Sequence, residues 1–328
     1  MSTKRALLIG AVETTRIAFD AITRHSGWDV AAVVTLDPAL AERHSDFVDL
    51  GPVARDRGCP VIHVDNINRE ETLSALRDTR ADMAFVMGWS QICGTAFREL
   101  FPDRVIGYHP PALPRLRGRA AIPWTILQQE PITAGTLFRI DAGTDTGAIL
   151  DQHFFHVAPM ETAASLYAKH MEALAAMLDR SLDRLAAGGM PRKNQDESSG
   201  RYGAASNSRA AGDMPRKNQD ESCATWAARR TPGDGRIDWA QRAEDVLRLI
   251  RATGRPYPGA FTKAGGADLR IWSAVLSDIG ARHAARPGQI VLRTADCFTV
   301  LCGENSALTA TRWSGPDKPP RLHILLGE

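Results

Sequence analysis

A histidine, His109, stands in VIGYHPPALPRLRGR (residues 105–119), between an apolar run and a loop with Pro110, Pro111 and Pro114. Further on, RIDAGTDTGAIL carries Asp141 and Asp145 in a glycine-rich turn. An imidazole gives or takes a proton near neutrality. A nearby carboxylate orients the ring, favours its charged form and relays protons through water. Such a pair suits a reaction in which a nucleophile loses a proton while an oxygen gains charge. The two loops are therefore expected to meet, with His109 and Asp145 as the chemical centre. Asp141 fits a turn aspartate that bonds its own backbone and shapes the loop.

The elements that must position them read as alternating strands and helices. Apolar runs over residues 5–10, 28–36, 60–64 and 81–89 are expected strands. Thr14 and Thr15 offer an N-cap for a helix through Ile22, and further helices are expected near residues 48–58 and 74–77. This alternation implies a parallel sheet with helices on both faces, and ligands in such folds bind outside the carboxyl ends of the strands. That rule places residues 87–93, His109 and Asp145 on one rim. The first loop, GAVETTR, lacks both GxGxxG and GxxxxGK[ST], so an ordinary strand-to-helix turn is expected there. Residues 161–187 carry Leu166, His170, Leu174, Met177, Leu178, Leu182 and Leu185 at helical spacing, the stripe of a long helix covering the sheet. From about Asp234 the pattern changes to one amphipathic helix, AEDVLRLIRAT, and then short strands punctuated by Gly and Asp, expected to form a small barrel or sandwich.

Composition limits the partners. A chain of 328 residues has room for two domains. A net charge of +2 argues against a broad nucleic-acid footprint. Five cysteines without a CxxC pair suit a reduced, cytoplasmic protein. There is no HExxH, so no metal is expected. No run is long enough for a membrane span, and the opening MSTKRALLIGA is too short in its apolar part for a secretory signal.

One feature is unusual. AAGGMPRKNQDES at residues 186–198 recurs as AAGDMPRKNQDES at 210–222, changed only at 189 against 213. Two copies do not make a solenoid. The first leads into the polar run SSGRYGAASNSR, expected to be disordered, and the second into ATWAARRTPGDGRIDW, expected to be ordered. The second copy is therefore expected to be the structural one.

In chain order, MGWSQIC, HPPALPRLRGRAAIPW, IDAGTDTGAIL, QDESCATWAARRTPGDGRIDW and RPYPGAF resemble the folate-dependent formyltransferases. That family includes methionyl-tRNA formyltransferase, the sugar-nucleotide N-formyltransferases and, more distantly, glycinamide ribonucleotide transformylase. The resemblance implies an α/β, Rossmann-like formyltransferase catalytic domain over residues 1–187, a linker over 188–233 and an OB-like barrel over 234–328. It implies 10-formyltetrahydrofolate as formyl donor, with Met87, Trp89, Gln91, Ile92 and Asp141 around the pterin. His109 and Asp145 become catalytic, and Arg117 and Tyr108 substrate-binding. Arg115 and Arg119 flank Arg117 as further cations for an anionic substrate.

The family's asparagine two residues before the histidine is absent; Gly107 stands there. A backbone N–H near Gly107, the Tyr108 hydroxyl or the substrate would have to replace it. The expected acceptor is a primary amine on a small metabolite, with a nucleotide-linked amino sugar ahead of methionyl-tRNA. A folate- or nucleotide-binding homologue without activity is the alternative from another class. The partners are thus small molecules rather than a membrane, and a homodimer is compatible.

Overall fold

The computed structural model describes residues 3–43, 46–189 and 218–327. The chain runs β1 (Lys4–Ile9), α1 (Glu13–Arg24), β2 (Trp28–Leu36), α2 (Gly51–Asp56), β3 (Val61–Val64), α3 (Glu70–Asp78) and β4 (Met83–Val86). It continues through α4 (Thr95–Leu100), β5 (Val105–His109), β6 (Arg117–Gly118), α5 (Ala121–Leu127), β7 (Ile132–Arg139), β8 (Ile149–His156) and α6 (Ala163–Ala186). Seven strands make one sheet in the order β3-β2-β1-β4-β5-β7-β8. The ladders from β3 to β5 are parallel.

Strand alternation explains why both sheet faces are covered. Leu8, Val33, Phe85, Ile106 and Tyr108 face one way, into a core shared with Leu174, Met177, Leu178, Leu182 and Leu185 of α6. Leu7, Ile9, Val34, Ala84 and Val86 face the other way, against Leu73 and Leu76 of α3 and Phe97 of α4. All seven residues of the expected α6 stripe are buried.

Two local expectations are corrected. The N-cap of α1 is Val12, not Thr14 or Thr15. The Thr15 hydroxyl instead accepts from the Val12 N–H and donates to the Met87 carbonyl at 2.5 Å, tying the first turn to the end of β4. The sheet is also not parallel throughout, because β7 runs antiparallel to β5. The end of β7 therefore lies beside Val105, where Ile140 donates to the Val105 carbonyl, at the opposite end of β5 from His109. The rim rule that grouped Asp145 with the parallel strand ends does not apply to it.

Within the α6 stripe, His170 is wholly buried, with its edge against Phe155. The Tyr108 hydroxyl lies 3.1 Å from both its Nδ1 and its carbonyl. Burial, and then the charge of His109, push the His170 imidazole down to about 3. Between that value and the ordinary 6.5 the unfolded chain takes up a proton that the folded chain refuses. The contribution is therefore complete above about pH 6.5 and falls toward acid, by about 1.4 kcal/mol per pH unit. Urea unfolding at pH 7.5 and 5.0 should show this slope, and His170→Gln should remove it. An unchanged slope in the variant would assign the acid loss to other groups.

The second part of the chain runs β9 (Trp226–Ala227), α7 (Ala243–Thr253), β10 (Ala260–Ala264), β11 (Ala267–Ser277), β12 (Ile290–Arg293), β13 (Phe298–Leu301) and β14 (Ala307–Ser314). The last five strands form an antiparallel sheet in the order β10-β11-β14-β13-β12. Val246, Leu247 and Ile250 of α7 pack on its Ile271, Phe298 and Val300. The terminal segment reaches both edges: Ile290 donates to the Ile324 carbonyl, and Gly327 to the Lys263 carbonyl. Residues 260–264 form a strand that their Pro- and Gly-rich approach did not announce.

The compact units interleave rather than follow one another. One takes residues 1–118, 133–155 and 169–226; the other takes 119–132, 156–168 and 227–328. No helix among the described residues is long and apolar enough to cross a membrane.

Candidate active site

The site lies within the first unit, at the carboxyl end of β5. Tyr108 and His109, as neighbours in a strand, point to opposite faces. Tyr108 enters the core toward α6, where burial pushes its hydroxyl above the ordinary value. It is therefore not on the His109 side, and its hydroxyl cannot replace the missing asparagine. His109 is buried, with Nε2 at 2.9 Å from the Leu116 carbonyl and 3.7 Å from Asp145 Oδ2. The loop after β7 thus brings Asp145 to the histidine although β7 ends at the far side of β5.

Asp145 has φ +55°, a left-handed conformation that aspartate and asparagine tolerate better than most residues. Its Oδ2 accepts from the Gly118 N–H at 2.8 Å, which joins the two loops directly. Asp141 Oδ1 accepts from the Gly143 N–H and from the Thr146 hydroxyl, shaping the same turn. Gly147 is required by space, since a Cβ there would lie 1.7 Å from the Arg139 carbonyl oxygen.

Arg117 is 1 % exposed and fully engaged within the chain. Its Nη1 and Nη2 form a two-point pair with Glu221, at 2.8 and 2.6 Å. Its Nε and Nη2 also donate to Gln219 Oε1, at 3.0 and 2.7 Å. Gln219 Nε2 in turn donates to the carbonyls of Asp145 and Gly147, at 2.7 and 2.8 Å. Thr225 completes the brace: its hydroxyl accepts from the Leu116 N–H and its carbonyl from the Arg117 N–H. Arg117 therefore acts on the loops that hold His109 and Asp145, and its guanidinium is occupied by Gln219 and Glu221. The hydrogen bond from Arg117 holds the Glu221 carboxyl below the ordinary carboxylate range.

Gln219 and Glu221 were absent from the candidates drawn from sequence. Their signal was the repeated QDES, which the resemblance also contained. Residues 218–222, the described end of the second copy, carry them; the first copy's counterparts, Gln195 and Glu197, lie outside the described residues, as does the polar run 199–209. Deleting residues 190–213 leaves a single copy joined to Gly189. Loop-closure entropy changes slowly with length, so the thermal midpoint should move by only a few degrees, about what 1 kcal/mol produces. A chain that no longer folds would show that the brace does not come from 214–222 alone.

The residues expected around a pterin occupy varied settings. Met87 is in the core, its N–H donating to the Ile9 carbonyl. Gln91 bridges the segment after β3, accepting from the Ile67 N–H and donating to the Asp65 carbonyl. Trp89 is half-buried, and its Nε1 is buried without a hydrogen-bond partner among the described residues. Ile92 is 72 % exposed. At Gly107 a Cβ would stand 3.0 Å from Ile140 Cδ1, Ile140 Cγ1 and Phe138 Cε1, so apolar atoms fill the space beside it.

Two family models match the chain: formyl transferase over residues 9–182, and formyl transferase, C-terminal domain, over residues 229–320. Among solved structures, WlaRD, a sugar 3N-formyl transferase in the presence of dTDP and 5-N-formyl-THF, is similar with a TM-score of 0.63 at 17% identity, covering 97% of this chain and 100% of that one. The N-formyltransferase from Helicobacter canadensis, in complex with folinic acid and dTDP-3-aminofucose, gives 0.62 at 16% identity, covering 94% and 99%. HypX from Aquifex aeolicus gives 0.60 at 18%, covering 95% of this chain and 46% of that one. At these identities the likeness is one of fold.

Proposed function

Because the chain belongs to the formyl transferase family, we propose that it transfers a formyl group from 10-formyltetrahydrofolate to a primary amine of a small metabolite, a nucleotide-linked amino sugar. The observation that carries this reading is the approach of His109 to Asp145 across 3.7 Å, from loops far apart in sequence. Two neighbours matched over nearly their full length, a sugar 3N-formyl transferase with dTDP and an N-formyltransferase with dTDP-3-aminofucose, support the acceptor class.

The residues present fit the donor. The partnerless Trp89 Nε1 is a hydrogen-bond donor left for a ligand acceptor, and Ile92 offers an exposed apolar side chain. When bound, the folate supplies the formyl group. His109 Nε2 is held by the Leu116 carbonyl, so Nδ1 is the ring nitrogen available to take a proton from the amine. The Leu116 carbonyl holds the ring, and Asp145 places a carboxylate 3.7 Å from Nε2, beside the imidazole that receives the proton. The three atoms nearest a Cβ at Gly107 are all apolar, and we assign the missing donor to a hydroxyl of the acceptor beside its amine.

Incubation with the formyl donor and dTDP- or UDP-linked amino sugars should yield an N-formyl sugar, detected by mass. Formylation of methionyl-tRNA alone, or of no amine, would reject the proposal. One observation favours a folate-binding homologue without activity, namely the apolar filling beside Gly107. Gly107→Asn alone should cost about 1–3 kcal/mol through overpacking and bring no gain in turnover. Gly107→Asn together with Ile140→Ala makes room and should raise kcat. A natural chain inactive on every amine, and a double variant equally inactive, would favour the homologue.

A further inference from the structure

The second unit contains a cavity of about 600 Å³, apart from the residues assigned above to formyl transfer. Its size falls in the range of small-molecule sites. Its apolar lining includes Leu247 and Ile250 of α7, and two indoles line it, Trp272 on β11 and Trp313 on β14. Both indoles are fixed in place. Trp272 Nε1 donates to the Ser314 hydroxyl at 2.9 Å, and Trp313 packs edge-on to Phe298 with ring centroids 5.3 Å apart.

Three arginines line the same cavity, and no acidic side chain among the described residues does. Arg251 Nη1 donates to the carbonyls of Pro159 and Glu161, each at 2.9 Å, while its Nε is buried with no hydrogen-bond partner among the described residues. Burial, and then the charge of Arg248, push the Arg251 guanidinium below its ordinary value, with buried Glu161 opposing. Arg255 lies 5.1 Å from the Trp272 ring centroid. The guanidinium groups of Arg255 and Arg312 have no carboxylate or hydrogen-bond partner among the described residues. Two of these guanidinium groups, Arg255 and Arg312, have no counter-charge among the described residues, and two such cations call for an anion, because arginine matches phosphate oxygens in geometry as well as charge. The indoles call for a flat ring, and any nucleobase offers a π-face for stacking.

We propose that this cavity binds a nucleoside phosphate, with the phosphates on Arg251, Arg255 and Arg312 and the base against Trp272 or Trp313. The proposal does not depend on the formyl-transfer reading, because its residues belong to the other unit.

ADP is the probe, titrated by calorimetry into the full chain. A double variant, Arg255→Ser with Arg312→Ser, removes two cations from exposed positions and should weaken ADP roughly tenfold or more, with an unchanged thermal midpoint. Trp272→Leu should weaken ADP too. Asp145→Asn, in the first unit, should leave this site's affinity unchanged. Pyrophosphate without a ring and adenosine without charge should each bind more weakly than ADP. The proposal is overturned if the arginine variant binds ADP as the natural chain does, if pyrophosphate binds as tightly as ADP, or if Asp145→Asn abolishes ADP binding.

Discussion

Asp145→Asn is expected to lower kcat for formyl transfer by about 10²–10⁴-fold, the range of one positioned acid–base group, while the chain stays folded. Asparagine is the informative replacement for a structural reason. Residue 145 has φ +55°, which asparagine accepts readily, whereas alanine would add backbone strain to the loss of charge. The amide oxygen of the replacement can still accept from the Gly118 N–H, so the two loops remain joined. Only the negative charge 3.7 Å from His109 Nε2 disappears. His109→Ala should cause a loss of similar size. Steady-state kinetics, with circular dichroism to check the fold, decides the matter: transfer near the natural rate in either variant would remove that residue from the chemistry.

Arg117→Ala is expected to cost about 3 kcal/mol of stability and to lower turnover as well. The side chain is buried and fills its site with a long apolar stem as well as charge. Its loss leaves Gln219 Oε1 without its two donors, and Gln219 is the side chain that grips the carbonyls of Asp145 and Gly147. Arg117→Lys should recover only part of the loss, because one ammonium cannot serve Gln219 and both Glu221 oxygens in the same geometry. Urea unfolding gives the stability and kcat the positioning. If Arg117→Ala kept its stability but lost affinity for the acceptor, a direct role in substrate binding would return. The Glu221 pair also sets an acid limit. A carboxyl depressed in the folded chain stabilises above its ordinary range, and that contribution is lost as pH falls through the depressed value.

Local pattern was enough for the regular elements. WDVAAVVTL is a strand over its whole length, AEDVLRLIRAT is a helix over its whole length, and every member of the leucine-rich stripe in α6 is buried. Periodicity identifies such segments because it records which face each side chain presents to a core. The strand at 260–264 escaped because its partner, β11, and not its own composition, makes it a strand. The cap of α1 escaped for a related reason: Thr15 is bound by Met87, 72 residues away.

The amino-acid sequence by itself determined which side chains could do proton chemistry, that His109 ends a strand, and that the family's asparagine is missing at Gly107. Tertiary structure alone decided that β7 runs antiparallel, by what route Asp145 reaches His109, that Tyr108 turns away from it, and that Arg117 closes on Gln219 and Glu221. The reason is physical. Residue type and short-range spacing set what a group can do and which way a strand or helix turns it. Strand direction, loop closure and the pairing of a buried guanidinium depend on partners up to about a hundred residues away, and a pattern read within one segment carries no record of them.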